Sequence, residues 1–528
     1  MKKKSLISFG VTLVVGMIYF YFFLPPIHPQ SFDFWIFVGV LLLVFLSLNT
    51  EMSDISSNQH FNTINLSSKV IIGGIVFIVL GLLFTNFVLS PLFMSQAYQK
   101  RITVLEDGDF AKDIEEINYR RLPLIDKESS EKLGDRVMGQ MPEMVSQYRV
   151  SNLYTQINYQ DTILRVTPLE YNGFFKYLKN HKKGITGYIK VDSVSGESAL
   201  VKLEEGMKYV PSSYFFKNLK RHLRFRYPTF IFGNFNFEID NEGQPYFVVP
   251  VLKYAGVQLR KDVKGVVLLN PITGESVYYD VLEVPTWVDH VYDADLIIEQ
   301  VDDWGIYKNG FLNSIFSQTN VVKTTEGYNY TVLNDDVYLY TGITSVSSDE
   351  ANIGFIMTNL RTKETKFYQV PGAEEYSAMA SAEGQVQQMN YNATFPLLIN
   401  LNGKPTYLMS LKDHAGLVKM YALVDVHDYQ NVLVSESSLG IEAIVSKYLE
   451  NETVSTENFK TRELTIKLLK EVLIDGTTYY YLIDQDNKKY SVSIKVNKNQ
   501  LPFMKVGDKI RIYYKEESDL IEIRDVDF

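Results

Sequence analysis

Ser129 and Lys132 stand three residues apart, a spacing at which a helix could let a lysine amine take the proton of a serine nucleophile. Lys127, Glu128 and Glu131 surround them, so a charged helix face with its own ion pairs explains the same residues better. Asp484-Gln-Asp-Asn-Lys488 opens like a calcium loop, whose carboxylates alternate along the chain. It lacks the glycine and the terminal glutamate that complete such a loop, and a hairpin turn accounts for it. The seven histidines form neither His-x-x-x-His nor His-Glu-x-x-His, so no metal site is expected. There is no Gly-x-Ser-x-Gly, P-loop or dinucleotide fingerprint, and no cofactor is expected. The absence of cysteine excludes thiol catalysis, disulfides and zinc-thiolate centres, and it fits a bacterial exported protein. A wall hydrolase would need two carboxylates at a set separation, and no spacing marks such a pair.

The charge pattern singles out one candidate binding element. Lys217, Lys220, Arg221, Arg224 and Arg226 crowd a predicted helix spanning residues 211–226, with Ser212 or Ser213 as its N-cap. A second predicted helix, residues 285–303, carries Asp289, Asp293, Asp295, Glu299, Asp302 and Asp303. The basic helix could dock on an anionic polymer or on lipid headgroups. Pairing with the acidic helix, or a simply solvated face, is the more economical reading, because it needs no outside partner.

These helices sit between strand pairs of a recurring kind. Lys264-Gly-Val-Val-Leu-Leu-Asn-Pro-Ile-Thr-Gly-Glu-Ser-Val-Tyr-Tyr279 reads as strand, tight turn, strand. Gly187-Tyr-Ile-Lys-Val-Asp-Ser-Val-Ser-Gly-Glu197 and Gly354-Phe-Ile-Met-Thr-Asn-Leu-Arg-Thr-Lys-Glu364 repeat it, and residues 403–426 form a degraded fourth copy. A helical candidate follows each hairpin: residues 211–226, 285–303, 374–389 and 438–449. Abundant tyrosine (36) and phenylalanine (32) favour strands, so each unit is expected to be α+β, an antiparallel sheet with one covering helix.

Gly187–Val201, Gly265–Val281 and Gly354–Val370 resemble the C-terminal hairpin of PepSY-type domains. That resemblance implies small membrane-associated or secreted α+β modules that lead with their helix, some proposed to restrain peptidases. The Thr-Gly-Glu of the hairpin is read as a turn and not as an active site.

Residues 462–528 offer five short strand candidates with turns at Asp475-Gly476 and Asp486-Asn487, the pattern of an OB-like small β-barrel, with an SH3-like barrel as runner-up. Tyr479, Tyr480, Tyr481, Tyr490, Tyr513 and Tyr514 could stack bases. This segment holds equal numbers of basic and acidic residues, however, and alternation turns half or more of the tyrosines into the core. A docking barrel is favoured, and no nucleic acid is expected as a partner.

At the other end lie three apolar runs, expected as spans at about residues 6–24, 32–49 and 70–93 within a membrane anchor of residues 1–94. Lys2, Lys3 and Lys4 hold the N-terminus in the cytoplasm, which places the rest outside. If residues 34–48 do not span, the large part is cytoplasmic instead. The remaining organisation reads as a helical stalk (95–145), modules at 146–228, 229–320, 321–390 and 391–450, a linker (451–461) and the barrel. The net charge of −10 sets the whole molecule against polyanions. Together these features predict a multi-pass cell-membrane protein, bound to the bilayer through its helices, whose modules form a non-enzymatic interaction or scaffold surface for other envelope proteins. Two alternatives are a regulatory subunit of a secretion, conjugation or proteolytic complex, and a carboxylate-dependent wall hydrolase.

Overall fold

The structure is a computed structural model that describes residues 2–54, 66–346, 348–451, 460–474, 477–497, 500–514, 519–523 and 525–527. The expected linker (residues 452–459) and the Asp475-Gly476 turn lie outside the described residues. The chain divides into two compact units, Met1–Ile444 and Val445–Phe528.

Three helices open the first unit: Lys2–Phe23, Phe32–Asp54 and Leu66–Val88. The first is long and apolar enough to cross a membrane over Leu6–Phe23, whereas the apolar part of the second, Phe32–Leu48, is shorter. The third does not continue to residue 93. It ends at Val88 and the chain bends by 54° into the helix Pro91–Gln99. Pro91 cannot donate to the preceding turn, so an unbroken helix there would lose a hydrogen bond and gain a ring clash. The first two helices touch at Gly16, where an added Cβ would lie 3.1 Å from Leu41, and at Tyr19 and Phe37, whose rings are 5.4 Å apart.

Four modules follow, all with one order of elements. Module 1 is the helix Lys127–Gly139 with strands Tyr148–Val150, Thr155–Tyr159, Thr162–Tyr171, Ile185–Asp192 and Ser198–Met207. Module 2 is Leu219–Arg226 with Ile231–Phe232, Asn236–Ile239, Pro245–Ala255, Leu259–Leu269 and Ser276–Asp280. Module 3 is Ala294–Ile306 with Val322–Thr324, Asn329–Leu333, Asp336–Ser345, Ser348–Asn359 and Thr365–Tyr368. Module 4 is Glu375–Gln385 with Asn392–Ala393, Leu397–Leu401, Lys404–Lys412, Val418–Asp425 and Val432–Glu436. In each sheet the two short strands pair with the third strand, and the third, fourth and fifth form an antiparallel meander.

The turn between the last two strands is the same device each time. The side-chain oxygens of Asp192, Asn270, Asn359 and Asp425 accept the backbone N–H groups two and three residues on. Gly196 and Gly274 take the left-handed position with φ of 74° and 82°, and Lys363 takes it in module 3 with φ of 67°. Ser195, Thr273 and Thr362 close the loop by accepting the N–H of Glu197, Glu275 and Glu364. The side-chain oxygens of the Asx and Ser/Thr residues are thereby engaged within the turn, which supports its reading as structure.

The carbonyl after the Asx residue reaches outward and fixes the helix. Ser193 O accepts from Ile125 N at 2.9 Å, Pro271 O from Lys208 and Tyr209, Leu360 O from Val291 and Tyr292, and Val426 O from Ala373. Each donor precedes a helix, directly in modules 1, 3 and 4 and with the Phe215–Lys217 turn between them in module 2, so each helix leads its own sheet, and the expectation that helices follow their hairpins is corrected. The module boundaries move accordingly. The stalk is corrected too: Lys127–Gly139 contributes Val137 and Met138 to the core of module 1. Val104–Gly108 pairs in parallel with Thr365–Tyr368, and Ile117 N bonds Asn400 O. The segment is polar yet woven into sheet edges through its backbone, which composition does not report.

In the second unit Lys460–Ile474 pairs with both Thr477–Asp484 and Lys509–Tyr514. Lys489–Ser493 extends one side and runs parallel to Leu520–Glu522, while Asp525–Asp527 pairs with Lys509–Tyr514 on the other. Tyr480, Tyr490 and Tyr514 are buried in its core, whereas Tyr479, Tyr481 and Tyr513 are half-buried.

Candidate functional site

The basic residues singled out in the sequence meet the end of the first apolar helix. The helix around them is Leu219–Arg226, capped by Asn218, whose side chain accepts from Arg221 N. Ser212 and Ser213 are not caps: Ser212 Oγ accepts from Tyr171 N, and Ser213 Oγ donates to Lys208 O. Arg224 is 3% exposed, and its Nε donates to Leu24 O at 3.0 Å while Nη1 donates to the carbonyls of Tyr227, Pro228 and Phe230. Arg221 donates from Nε to Tyr21 O at 3.1 Å, and its guanidinium lies 4.3 Å from the centre of the Tyr21 ring. A helix C-terminus leaves its last carbonyls unpaired and carries partial negative charge, and a cation placed there satisfies both. Burial pulls the Arg224 pKa down to about 10, against the attraction of Asp33.

The expected pairing of basic with acidic helix is therefore corrected. The acidic helix, which spans only Ala294–Ile306, pairs with Arg101 through Glu299 (2.8 Å) and Asp303. Backbone carbonyls answer the basic helix, and Arg101 and Lys261, outside both helices, answer the acidic one. Lys217, Lys220 and Arg226 have no carboxylate within ion-pair distance among the described residues.

Two further contacts hold the junction. Asn86, near the end of the third helix, donates to Val257 O at 3.0 Å and accepts from Val257 N at 2.9 Å, so its side-chain amide pairs with one backbone position of module 2. Gln30, ahead of the second helix, accepts from Gln258 N with its carbonyl and from Tyr254 N with its side chain. The signal for Asn86 was visible as the one strongly polar residue in its run. Gln30 offered none. A cavity of about 490 Å³ beside the junction is lined by Leu24, Asp33, Lys220, Arg224, Tyr254 and Lys261.

The carboxylates come together elsewhere, away from any cleft. Glu238 is fully buried and accepts the backbone N–H of Asp289 and of His290. Asp289, 2% exposed, accepts Asn158 N at 2.8 Å. His290 donates from Nε2 to Gln156 O at 2.7 Å. Burial, then the Glu238 charge, pushes the Asp289 carboxyl well above its usual range, and burial holds the His290 imidazole down to about 4. Glu375 is likewise buried, with Thr325 donating to it at 3.0 Å. These groups stitch strands and connections together. Lys132 pairs with Glu128 and Ala415 O, and Ser129 N is capped by Asp126, so no serine–lysine dyad forms. Among the described residues no group of three or more His, Asp and Glu is placed to hold a metal ion. A groove of about 810 Å³ in module 1, lined by Arg136, Tyr159, Lys190, Asp192 and Glu197 among others, adjoins one of about 590 Å³ that reaches Gly243 and Thr273 of module 2.

An acid with a raised folded pKa costs stability as pH climbs from its unfolded value through its folded one. Asp289→Asn keeps an acceptor for Asn158 and removes that cost. Its unfolding free energy at pH 7 is expected to exceed the parent's by on the order of 1 kcal/mol, with the difference vanishing near pH 4. Urea unfolding in detergent across that range measures it, and parallel pH profiles would contradict the assignment. His290 acts on the acid side, between 6.5 and about 4, and is common to both proteins.

No family model matches the chain, and no curated protein matches it. Among solved structures the Bacillus megaterium YpeB C-terminal domain is a neighbour with 11% sequence identity and a TM-score of 0.11, covering 45% of this chain and 97% of that one. A superposition at that score equates no folds.

Proposed function

We propose that the chain is a membrane-anchored cell-envelope protein in which three N-terminal spans hold the four modules outside the cell as a non-enzymatic interaction surface. The junction carries this reading. The C-terminal end of the first helix, the segment leading into the second and the C-terminal end of the third all bond to module 2. That alternation is what three antiparallel crossings produce. Leu24 and Ser31 are buried at the junction, an arrangement that suits a retained anchor better than a cleaved leader. The amino-terminal lysines then favour an inside N-terminus and modules outside.

The helix-first order of the modules supports the resemblance to PepSY-type domains. In the second unit, consecutive segments 520–522 and 525–527 pair with opposite sides of the sheet, which supports an OB-like barrel. Its groove of about 680 Å³ mixes Arg462, Lys509 and Arg511 with Asp484, Asp486 and Asp527, which suits docking to protein better than to a nucleic-acid backbone.

Intact-mass measurement of the membrane-extracted protein, with protease shaving of intact cells, tests the arrangement. The first helix is expected to be retained and the modules to be degraded from outside. Loss of residues 1–24, or modules protected until the cells are opened, would overturn it. Partner capture with the modules alone, compared with the three helices alone, tests the scaffold role, and capture by neither counts against it.

A further inference from the structure

The basic helix is bordered by an exposed aromatic face. Phe175 is 81% exposed, Phe216 58%, Phe215 52% and Phe225 45%, in a region where an ordinary soluble surface would hide such rings. The rings form two clusters that meet where Phe215 and Phe216 follow one another in the chain. Phe174 lies 4.9 Å from Tyr214 and 6.2 Å from Phe215, and Phe216 lies 5.5 Å from Phe225. The second cluster continues into the last turn of the first apolar helix: Phe216 is 5.7 Å from Tyr21, and Phe225 is 5.4 Å from Phe20. The backbone is constrained to present these rings, since Phe215 has a φ of 55°, a conformation a bulky residue adopts only under constraint. Arg221 Nη1 and the Asn218 side chain pin that loop through Phe215 O, Pro211 O and Ser213 O. Lys179, Lys182 and Lys183 stand exposed beside Phe174 and Phe175, and Lys220 and Arg226 beside Phe216 and Phe225.

We infer that this face, the Phe174–Asn180 helix together with the Tyr214–Lys217 turn and Phe225, lies in the headgroup layer of the membrane that carries the first helix and engages anionic lipid. Depth follows from contact. Phe20 and Tyr21 belong to the end of the apolar stretch Leu6–Phe23, so rings that pack on them sit at the same level. Exposed phenylalanine rings gain by burial at the boundary of headgroups and acyl chains, and the exposed lysines near them gain energy from an anionic surface. Module 2 and the short helix of module 1 are then laid against the bilayer and are not held clear of it.

This inference rests on the anchored reading, and the test separates the two. The chain has no cysteine, so single cysteines can be placed freely. Full-length protein carrying Val14→Cys, Phe175→Cys, Phe216→Cys or Leu282→Cys is labelled with an environment-sensitive fluorophore. It is then reconstituted in nanodiscs of phosphatidylcholine alone or with phosphatidylglycerol. Labels at 14, 175 and 216 are expected to be quenched by lipid-borne quenchers and the label at the 96%-exposed Leu282 to stay in water. Position 14 in lipid with 175 and 216 in water overturns the inference and leaves the anchor standing. Position 14 in water overturns both. Replacing Lys179, Lys182 and Lys183 by glutamine is expected to reduce quenching at 175 at least twofold in phosphatidylglycerol discs only. Equal quenching with and without the lysines removes the anionic-lipid part.

Discussion

Arg224→Met is expected to destabilise the first unit by at least about 3 kcal/mol and to release the end of the first helix from module 2. Methionine keeps the apolar stem of arginine as far as the Nε position but has no donor. Leu24 O and Phe230 O would lose the guanidinium, while Tyr227 O and Pro228 O would keep only the N–H groups of Phe230 and Ile27. Arg224→Lys is expected to recover less than half of the loss, because one ammonium cannot reproduce a fork that reaches Leu24 from Nε and Phe230 from Nη1. Thermal unfolding in detergent measures the first effect. Cleavage between Pro25 and Gln30 under limited proteolysis measures the second, and a variant as resistant as the parent would show that the carbonyls find other partners.

Gly305→Ala carries the next largest effect, about 2–3 kcal/mol of lost stability. A Cβ at this position of the module 3 helix would lie 2.3 Å from Val322 O and 2.8 Å from Val322 Cγ2. Val322 is fixed by its pairing with Ser345, so the helix must lift from its sheet. Gly384→Ala in the module 4 helix is the control. Nothing lies within 4 Å of its added Cβ, and helix propensity alone predicts a gain of up to about 1 kcal/mol. If both alanines destabilise equally, close packing is not the reason for Gly305.

The hairpins were legible because their turns are built from side chains. Asp192, Asn270 and Asn359 announce the loop in the sequence, and the structure shows their oxygens making it. The attachment of helix to sheet was not legible. It runs through the carbonyls of Pro271, Leu360 and Val426, and a backbone acceptor leaves no trace in residue identity. The same limit explains the basic helix. Opposite charge on residues 285–303 offered a visible partner, whereas the true acceptors are main-chain oxygens of Tyr21 and Leu24. Glu238 was hidden for another reason. Both faces of its strand are buried, whereas a carboxylate alternating with Phe237 and Ile239 is equally the pattern of a strand with one solvated face.

Lys363 occupies the left-handed turn position that glycine holds in modules 1 and 2. Its ammonium reaches Asp262 of module 2 at 2.8 Å and lies 5.3 Å from the centre of the Tyr292 ring. A glycine would relax the backbone by about 1 kcal/mol but could not span the seam. The chain therefore accepts local strain in return for stiffness between neighbouring modules. Because module 2 is also the one bonded to the N-terminal helices, a displacement of those helices is expected to reach module 3 as motion of a single lever and not to be absorbed at a hinge.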